Sequence, residues 1–164
     1  MEPRRDDETP RRVLIADDDP SIRRLLETLV CREKIELDTA SDGAEAIRLL
    51  EQNEYGVILL DLMMPNVNGF GVIEWLRANP RQEKAVVFVI SAYADEAIRQ
   101  VDTTIVAGVI HKPFDVSDVA SLIRHIVHGW DEELARSLKQ SQQRAIRDYV
   151  ISKDPVSKDP ATEH

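Results

Sequence analysis

Short apolar runs alternate with amphipathic stretches along most of the chain. Residues 13–16, 57–60 and 85–90 are continuously apolar, which is typical of strands that are buried on both faces of a sheet. Residues 35–40 and 105–110 predict two further strands, and the first of these is less apolar and therefore suits a sheet edge. Between the runs, apolar residues recur at helical spacing, so strands and helices are expected to alternate.

Five helices are predicted to follow the five strands. The first begins at Pro20, because Asp19 has the side chain of an N-cap residue and proline suits the first helical position. The others are expected at 42–53, before Asn79-Pro80, at 94–103 and at 116–127. This strict alternation predicts an α/β fold, a doubly wound five-stranded parallel sheet in a three-layer α/β/α sandwich with the flavodoxin-like strand order 2-1-3-4-5.

The main domain is expected over residues 13–129, with shorter segments on either side. Residues 1–12 hold two prolines and mostly charged side chains, and they predict a flexible arm. Residues 130–151 predict an additional amphipathic helix, whose narrow apolar stripe suits packing on its own domain, a homodimer seam or partner binding. Residues 152–164 repeat Ser-Lys-Asp-Pro and predict a disordered tail.

The composition narrows the classes of function. The 164 residues carry a formal net charge of −9 and 43% are hydrophobic, so the chain can form a core but lacks the basic surface of a general nucleic-acid binder. No direct DNA binding is therefore expected, and the segment after residue 129 is too short for an output domain. Cys31, the single cysteine, permits no intramolecular disulfide and is expected in the core on the first helix. Neither a signal peptide nor a membrane span is predicted, so the expected location is the cytoplasm.

Polar residues stand at the carboxyl ends of the predicted strands, which is where open parallel sheets bind ligands. These residues are Asp17, Asp18 and Asp19 after the first strand, Asp61 after the third, Ser91 after the fourth and Lys112 after the fifth. The first and third strands are expected to be neighbours, so their carboxylates should meet in one crevice.

Carboxylates without histidine or cysteine partners form an oxygen-rich site that suits Mg²⁺. Asp18 and Asp61 can ligate the ion directly, and a backbone carbonyl just after Asp61 can supply another oxygen. Lys112 and the hydroxyl of Ser91 can then stabilise a phosphoryl group, which Asp61 itself can accept as an acyl phosphate. The residues thus predict a Mg²⁺-dependent phosphoryl site, and they leave open whether the covalent state is a signal or a catalytic intermediate.

Four segments carry a resemblance to a known family: VLIADDDPS, VILLDLMMPNVNGF, VFVISAYAD and GVIHKPFD. In this order, the chain resembles the receiver domain of two-component response regulators over about residues 11–129. The resemblance implies that Asp61 is the phosphorylated residue and acts with Lys112 and with Ser91, the switch hydroxyl. It also implies a Mg²⁺ site made of Asp17, Asp18, Asp61 and the backbone carbonyl of Met63.

Three positions are expected to tune this switch. Many receivers place an aromatic residue three positions before the lysine, whereas this chain has Val109, so the signal is expected to travel through the Ser91 loop and the fourth helix. Met63 and Tyr93 occupy positions that tune the lifetime of the acyl phosphate in the family. Because both side chains are bulky, they are expected to shield the phosphoryl group from water.

The expected function is that of a phosphorylation-activated response regulator in a two-component or phosphorelay system. A histidine kinase or phosphotransfer protein would phosphorylate Asp61, and the signal would pass to an unknown downstream protein by protein–protein contact, with no membrane partner. The protein is not expected to be an enzyme. The alternatives are a Mg²⁺-dependent phosphohydrolase with an aspartyl-phosphate intermediate, which Met63 disfavours by standing where such enzymes carry a second carboxylate, and a non-phosphorylated adaptor of the same fold.

Overall fold

A computed structural model describes residues 12–31 and 35–128 of the chain. Strands and helices alternate through this part, as the hydrophobic pattern predicts. In chain order the elements are β1 (Arg12–Ala16), α1 (Pro20–Val30), β2 (Glu36–Ala40), α2 (Gly43–Gln52), β3 (Val57–Asp61), α3 (Gly69–Ala78), a short 3-10 helix (Pro80–Gln82), β4 (Val86–Ser91), α4 (Ala94–Gln100), β5 (Val106–His111) and α5 (Val116–His128).

The five strands form one parallel sheet in the order β2-β1-β3-β4-β5. This confirms the predicted fold class and strand order. β3 lies at the centre, where all five of its residues are buried, and it pairs with β1 on one side and β4 on the other. Because all strands run in the same direction, their carboxyl ends meet at one edge of the sheet.

Side chains that alternate along each strand enter two separate cores, one on each face of the sheet. On β1, Leu14 belongs to the core that also holds residues of α2, α3 and α4. Its neighbours Val13 and Ile15 belong to the core on the other face, where α1 and α5 pack together. The period of two along the strand therefore builds the three-layer sandwich.

Polar side chains start three of the helices close to the carboxyl edge of the sheet. Asp19, Asp42 and Asn68 are the N-caps of α1, α2 and α3, and each accepts a hydrogen bond from a backbone N–H of the first turn. As the sequence predicts, Pro20 follows Asp19 as the first residue of α1. These caps fix where each helix begins after its strand–helix loop.

The structure corrects three local predictions that were made from the sequence. Cys31 is exposed rather than buried, because α1 ends at Val30 and Cys31 is its C-cap. Arg12, which the sequence places in the arm, is the first residue of β1 and forms ion pairs with Glu36 and Asp38 of β2. α4 ends before the predicted residue 103, because Asp102 accepts hydrogen bonds from the N–H and hydroxyl of Thr104 in a turn.

The remaining predictions about segments lie outside the described residues. These are the arm over residues 1–11, the amphipathic helix and possible homodimer seam at 130–151, and the tail at 152–164. Among the helices in the described part of the chain, none has the length and hydrophobicity needed to span a bilayer.

Candidate functional site

The ends of three strands bring two carboxylates and one lysine into contact. Asp17 directly follows β1, Asp61 is the last residue of β3, and Lys112 directly follows β5. The ammonium nitrogen Nζ of Lys112 lies 3.0 Å from Oδ2 of Asp61 and 3.3 Å from Oδ2 of Asp17. The crevice that the sequence predicts between the first and third strands is therefore present, with the lysine inside it.

A third carboxylate completes an acidic cluster at this edge. Asp17, Asp18 and Asp61 each offer an oxygen, and these oxygens lie within 4.8 Å of one another. Asp17 and Asp61 are buried, whereas Asp18 is exposed to solvent. Lys112 contacts the carboxylates of Asp17 and Asp61, so the acidic groups of the cluster outnumber the ammonium group that pairs with them.

The cluster fits a hard divalent cation such as Mg²⁺. All its donor atoms are oxygens, as Mg²⁺ prefers, and negative charge prevails among the side chains of the cluster. In addition, Oδ2 of Asp17 is buried and makes no hydrogen bond, and the ammonium group of Lys112, 3.3 Å away, is shared with Asp61, so a further cation would compensate this buried charge. Asp17, Asp18 and Asp61 are therefore the residues that could hold the ion.

Burial and neighbouring charges shift the pKa values of the three central groups. Burial raises the pKa of Asp61 to about 6, although hydrogen bonds from the N–H of Met63 and from Lys112 oppose the shift. Burial also raises the pKa of Asp17. Burial alone would lower the pKa of Lys112, but its hydrogen bond to Asp61 and the two carboxylate charges outweigh this and raise it. Lys112 is therefore a firmly charged ammonium beside Asp61.

The chain after Asp61 turns tightly around its carboxylate. The N–H of Met63 donates to Oδ1 of Asp61 at 3.0 Å, and the side chain of Met63 is 64% exposed. At the end of the loop, the N–H of Gly69 donates to the carbonyl oxygen of Leu62. A Cβ atom on Gly69 would lie 2.6 Å from the carbonyl oxygen of Asp61, so only glycine permits this close approach.

Ser91 and Tyr93 form the other wall of the site. Ser91 is the last residue of β4 and is buried, and its Oγ accepts a hydrogen bond from the N–H of Tyr93 at 3.0 Å. The side chain of Tyr93 is 66% exposed. Together with Met63 and Phe70, these two residues line an open groove of about 270 Å³. Tyr93 and Met63 thus border the same groove, which Leu62 rather than Asp61 lines on the β3 side.

Val109 lies on β5, three positions before Lys112, and is buried in the core between the sheet and α4. Because valine is not aromatic, this position of β5 has no aromatic side chain. The roles that the sequence assigns to Val109, Met63 and Tyr93 remain predictions.

Arg23 supports the site in a way that the sequence did not indicate. Its Nη1 atom reaches back from α1 and donates to the carbonyl oxygen of Asp17 at 2.6 Å. In the sequence, Arg23 is one of several charged residues on an amphipathic helix. The signal that could have found it is its place in the first turn of a helix that starts directly after the acidic cluster.

A doubly wound sheet with an acidic pocket and a paired lysine at its carboxyl edge is the arrangement expected of a receiver-type signalling domain. The model of the response regulator receiver domain family matches residues 13–124. The chain therefore belongs to the response regulator receiver family of two-component signalling.

Named relatives match a portion of the chain of similar length. The probable transcriptional regulator ycf27 of Guillardia theta is 35% identical over 121 residues, which are 73% of this chain and 46% of that protein. The transcriptional regulatory protein GltR of Pseudomonas aeruginosa is 30% identical over 118 residues, which are 71% of this chain and 49% of GltR. The chain thus spans about half the length of these relatives.

Solved structures share the fold over nearly their whole length. The receiver domain of the Francisella response regulator 1452 has 26% identity and a TM-score of 0.61, and the match covers 73% of this chain and 98% of that one. The response regulator TrrA of Thermotoga maritima, solved with Mg²⁺ and BeF, has 26% identity and a TM-score of 0.60, with coverage of 70% and 97%.

The relatives contradict the prediction that this protein does not bind DNA directly. That prediction was based on the acidic charge of the chain and on the short segment after residue 129. The relatives are named transcriptional regulators, and the matched part is only about half of each. The charge of a receiver segment describes the receiver alone, so it does not limit what the whole protein binds.

Proposed function

We propose that this protein is a phosphorylation-activated response regulator that accepts a phosphoryl group on Asp61 from a histidine kinase or phosphotransfer protein. The observation that carries the proposal is the contact of the buried Asp61 carboxylate with Lys112 inside a cluster of three aspartates. A carboxylate that merely ended a strand would have no reason to share its burial with a second acid, Asp17, and to contact a lysine.

Four groups would hold Mg²⁺: the carboxylates of Asp17, Asp18 and Asp61 and the backbone carbonyl of Met63. When bound, the ion supplies positive charge that stabilises the phosphoryl oxygens during transfer. The bound Mg²⁺ and BeF in the Thermotoga TrrA structure support this use of the fold.

The chemistry on this chain is a nucleophilic substitution at phosphorus. A carboxylate oxygen of Asp61 forms the new O–P bond, and the N–P bond of the donor phosphohistidine breaks. The departing imidazole keeps the electron pair of that bond and is protonated from solvent. Lys112, whose Nζ lies 3.0 Å from Asp61, stabilises the negative charge on the transferred group. The protein thereby promotes its own modification.

The hydroxyl of Ser91 converts the new charge into a structural change. In the described structure Oγ accepts from the N–H of Tyr93, directly before the first residue of α4. A phosphoryl group on Asp61 offers the Ser91 hydroxyl a strong hydrogen-bond acceptor. When Ser91 donates to this group, a different arrangement of the loop after β4 is favoured. Since Val109 replaces the aromatic residue of many receivers, this loop and α4 carry the signal to a partner by protein–protein contact.

In this proposal, the process that the phosphorylated protein controls is gene expression. The curated relatives GltR and ycf27 are named as transcriptional regulators, and this supports transcription as the downstream response.

The decisive experiment is intact-mass analysis after incubation with a small acyl-phosphate donor and Mg²⁺. The wild type is expected to gain the mass of one phosphoryl group, with altered elution in size-exclusion chromatography if activation changes its shape or assembly. Asp61→Asn is expected to gain nothing, whereas Asp95→Asn, which removes an exposed carboxylate of α4, should behave as the wild type.

An unmodified wild type under these conditions would contradict the proposal and favour an adaptor without phosphorylation. Multiple turnovers of a generic phosphate ester with Mg²⁺ would instead favour the phosphohydrolase.

A further inference from the structure

The loop between β3 and α3, residues 62–68, is attached to the start of α2. Nδ2 of Asn66 donates to Oδ2 of Asp42 at 2.8 Å. In addition, the N–H of Gly43 donates to the carbonyl oxygen of Val67 at 2.9 Å. These two contacts, between Asp42-Gly43 and Asn66-Val67, are named the α2 clasp below. They join segments that are far apart in the sequence but adjacent at the carboxyl edge of the sheet.

Each residue of the α2 clasp has a feature that suits it to this contact. Asn66 has a φ of 63°, in the left-handed region that asparagine tolerates better than most residues. A Cβ atom on Gly43 would lie 2.1 Å from the carbonyl oxygen of Val67, so the loop can approach only a glycine there. Oδ1 of Asp42 caps α2 by accepting from the N–H of Glu45 at 2.8 Å, which leaves Oδ2 for Asn66. These hydrogen bonds lower the pKa of Asp42, so its carboxylate is charged at neutral pH.

The same loop is also attached at both of its ends. The N–H of Met63 donates to the carboxylate of Asp61, and the N–H of Gly69 donates to the carbonyl oxygen of Leu62. The α2 clasp holds Asn66 and Val67 in the middle of the loop, between Met64, which is buried in the core, and Asn68, the N-cap of α3. The backbone that carries the carbonyl of Met63 is therefore restrained from two sides.

We infer that Asp42 and Asn66 are positioning residues for the metal site, because their hydrogen bond restrains the loop that presents the carbonyl of Met63. This inference rests on the proposed function, in which that carbonyl is a ligand. Without this side-chain bond, only the backbone bond from Gly43 to Val67 remains in the α2 clasp, so the loop samples more conformations and only a fraction of them present the carbonyl to the ion. The apparent dissociation constant for Mg²⁺ then rises in inverse proportion to that fraction. Groups that hydrogen-bond a metal ligand directly change affinity about 10–100-fold, and the Asn66–Asp42 bond acts one step further away, so an effect at the lower end, about tenfold, is expected.

The test measures Mg²⁺ binding by isothermal titration calorimetry on the full chain and three variants. Asn66→Gly keeps a residue that tolerates the left-handed backbone but removes the side-chain amide. Asp42→Ser keeps a good N-cap for α2 but removes the acceptor for Asn66. The third variant combines both changes. Each single variant is expected to bind Mg²⁺ about tenfold more weakly, and the double variant no more weakly than the weaker single one, because both changes remove the same bond.

A control separates positioning from simple loss of charge. Glu45→Gln removes one negative charge from the first turn of α2, as Asp42→Ser does at its N-cap, without touching the α2 clasp. Its Mg²⁺ affinity is expected to equal that of the wild type. Hydrogen exchange should also be faster in residues 62–69 of both single variants and unchanged in Glu45→Gln, a readout that does not depend on the metal.

The outcomes distinguish this inference from the proposed function. Unchanged affinity in Asn66→Gly and Asp42→Ser, beside a wild type that binds Mg²⁺, would overturn the positioning role alone. An equal loss in Glu45→Gln would also overturn it, because charge would then explain the effect. A wild type that binds no Mg²⁺ would overturn the proposed function and, with it, this inference.

Discussion

At the scale of single residues, the ionised carboxylate of Asp61 destabilises the fold while it prepares the site for chemistry. It is buried beside Asp17, and one ammonium group serves both carboxylates. Burial raises the pKa of Asp61 from 3.8 to about 6, so the folded state favours the protonated form more than the unfolded state does. Asp61 therefore lowers the free energy of unfolding above pH 6, and this destabilisation disappears as the pH falls from 6 toward 4.

Replacing this carboxylate tests the sign of that contribution. Asp61→Asn is expected to be more stable than the wild type at pH 7.5 without divalent ions, by about 1–3 kcal/mol, because it removes one of two buried like charges. The difference should shrink between pH 6 and 4, where the wild type gains its proton. Urea unfolding at several pH values measures this. Asp95→Asn, which removes an exposed carboxylate, is the control and should not be more stable than the wild type at pH 7.5. An Asp61→Asn variant less stable than the wild type at pH 7.5 would contradict the prediction.

The exposed side chains of Met63 and Tyr93 are expected to control how long the acyl phosphate lasts. They border the groove that Ser91 also lines, and we expect their bulk to hinder the approach of water to the acyl phosphate. The double variant Met63→Asn with Tyr93→Glu should lose the phosphoryl group several times faster, as followed by intact mass after removal of the donor. Leu25→Asn changes an exposed apolar residue of α1 and serves as the control. An unchanged decay rate in the double variant would show that these residues do not shield the site.

At the scale of elements, the positions of the helix starts decide the geometry of the site. Asp19, Asp42 and Asn68 begin three helices next to the ends of the strands, and Gly43 lets a neighbouring loop pack on the start of α2. Glycine in a helix normally weakens it relative to alanine. At this position the close contact with Val67 outweighs that preference.

Gly43→Ala is therefore expected to destabilise the protein by about 1–3 kcal/mol, although alanine is the better helix former. Its Cβ atom would clash with backbone atoms of Val67, which cannot turn away. Gly71→Ala in α3 is the matched control, since its Cβ atom would meet only the end of the Val67 side chain at 2.6 Å. Chemical denaturation should show a clearly smaller loss for Gly71→Ala. Equal stability of Gly43→Ala and the wild type would contradict the steric explanation.

Strands and helices could be predicted where the residues that cause them are neighbours in the sequence. The run 57–60 and the pair Asp19-Pro20 identify β3 and the start of α1 from neighbouring residues alone. By contrast, the exposure of Cys31 was mispredicted, because it depends on where α1 ends relative to the rest of the fold. α4 was predicted too long for a similar reason, since the turn at Asp102 stops it.

At the scale of the whole molecule, binding of a divalent ion is expected to stabilise the entire fold, because the ligands come from separate strands. A ligand that binds only the folded state adds about 1.4 to 2.7 kcal/mol at 10 to 100 times its dissociation constant. Mg²⁺ should therefore raise the melting temperature of the wild type. Asp18→Asn, which removes the exposed carboxylate of the cluster, should lose most of this increase.

Asp19→Asn is the matched control for that experiment. It removes a charge from the adjacent residue, and asparagine remains a good N-cap for α1. Its melting temperature should still rise with Mg²⁺. An equal rise in Asp18→Asn and the wild type would exclude Asp18 as a ligand.

The sequence by itself determined the α/β class, the order of the elements and the residue types at the strand ends, because hydrophobic period, caps and residue chemistry are properties of neighbouring positions. Only the tertiary structure decided which of these residues touch. Lys112 lies 51 residues from Asp61 in the chain, and their contact arises because parallel strands end at the same edge of the sheet. The bonds from Arg23 to Asp17 and from Asn66 to Asp42 likewise depend on how helices and loops pack, which no local pattern encodes.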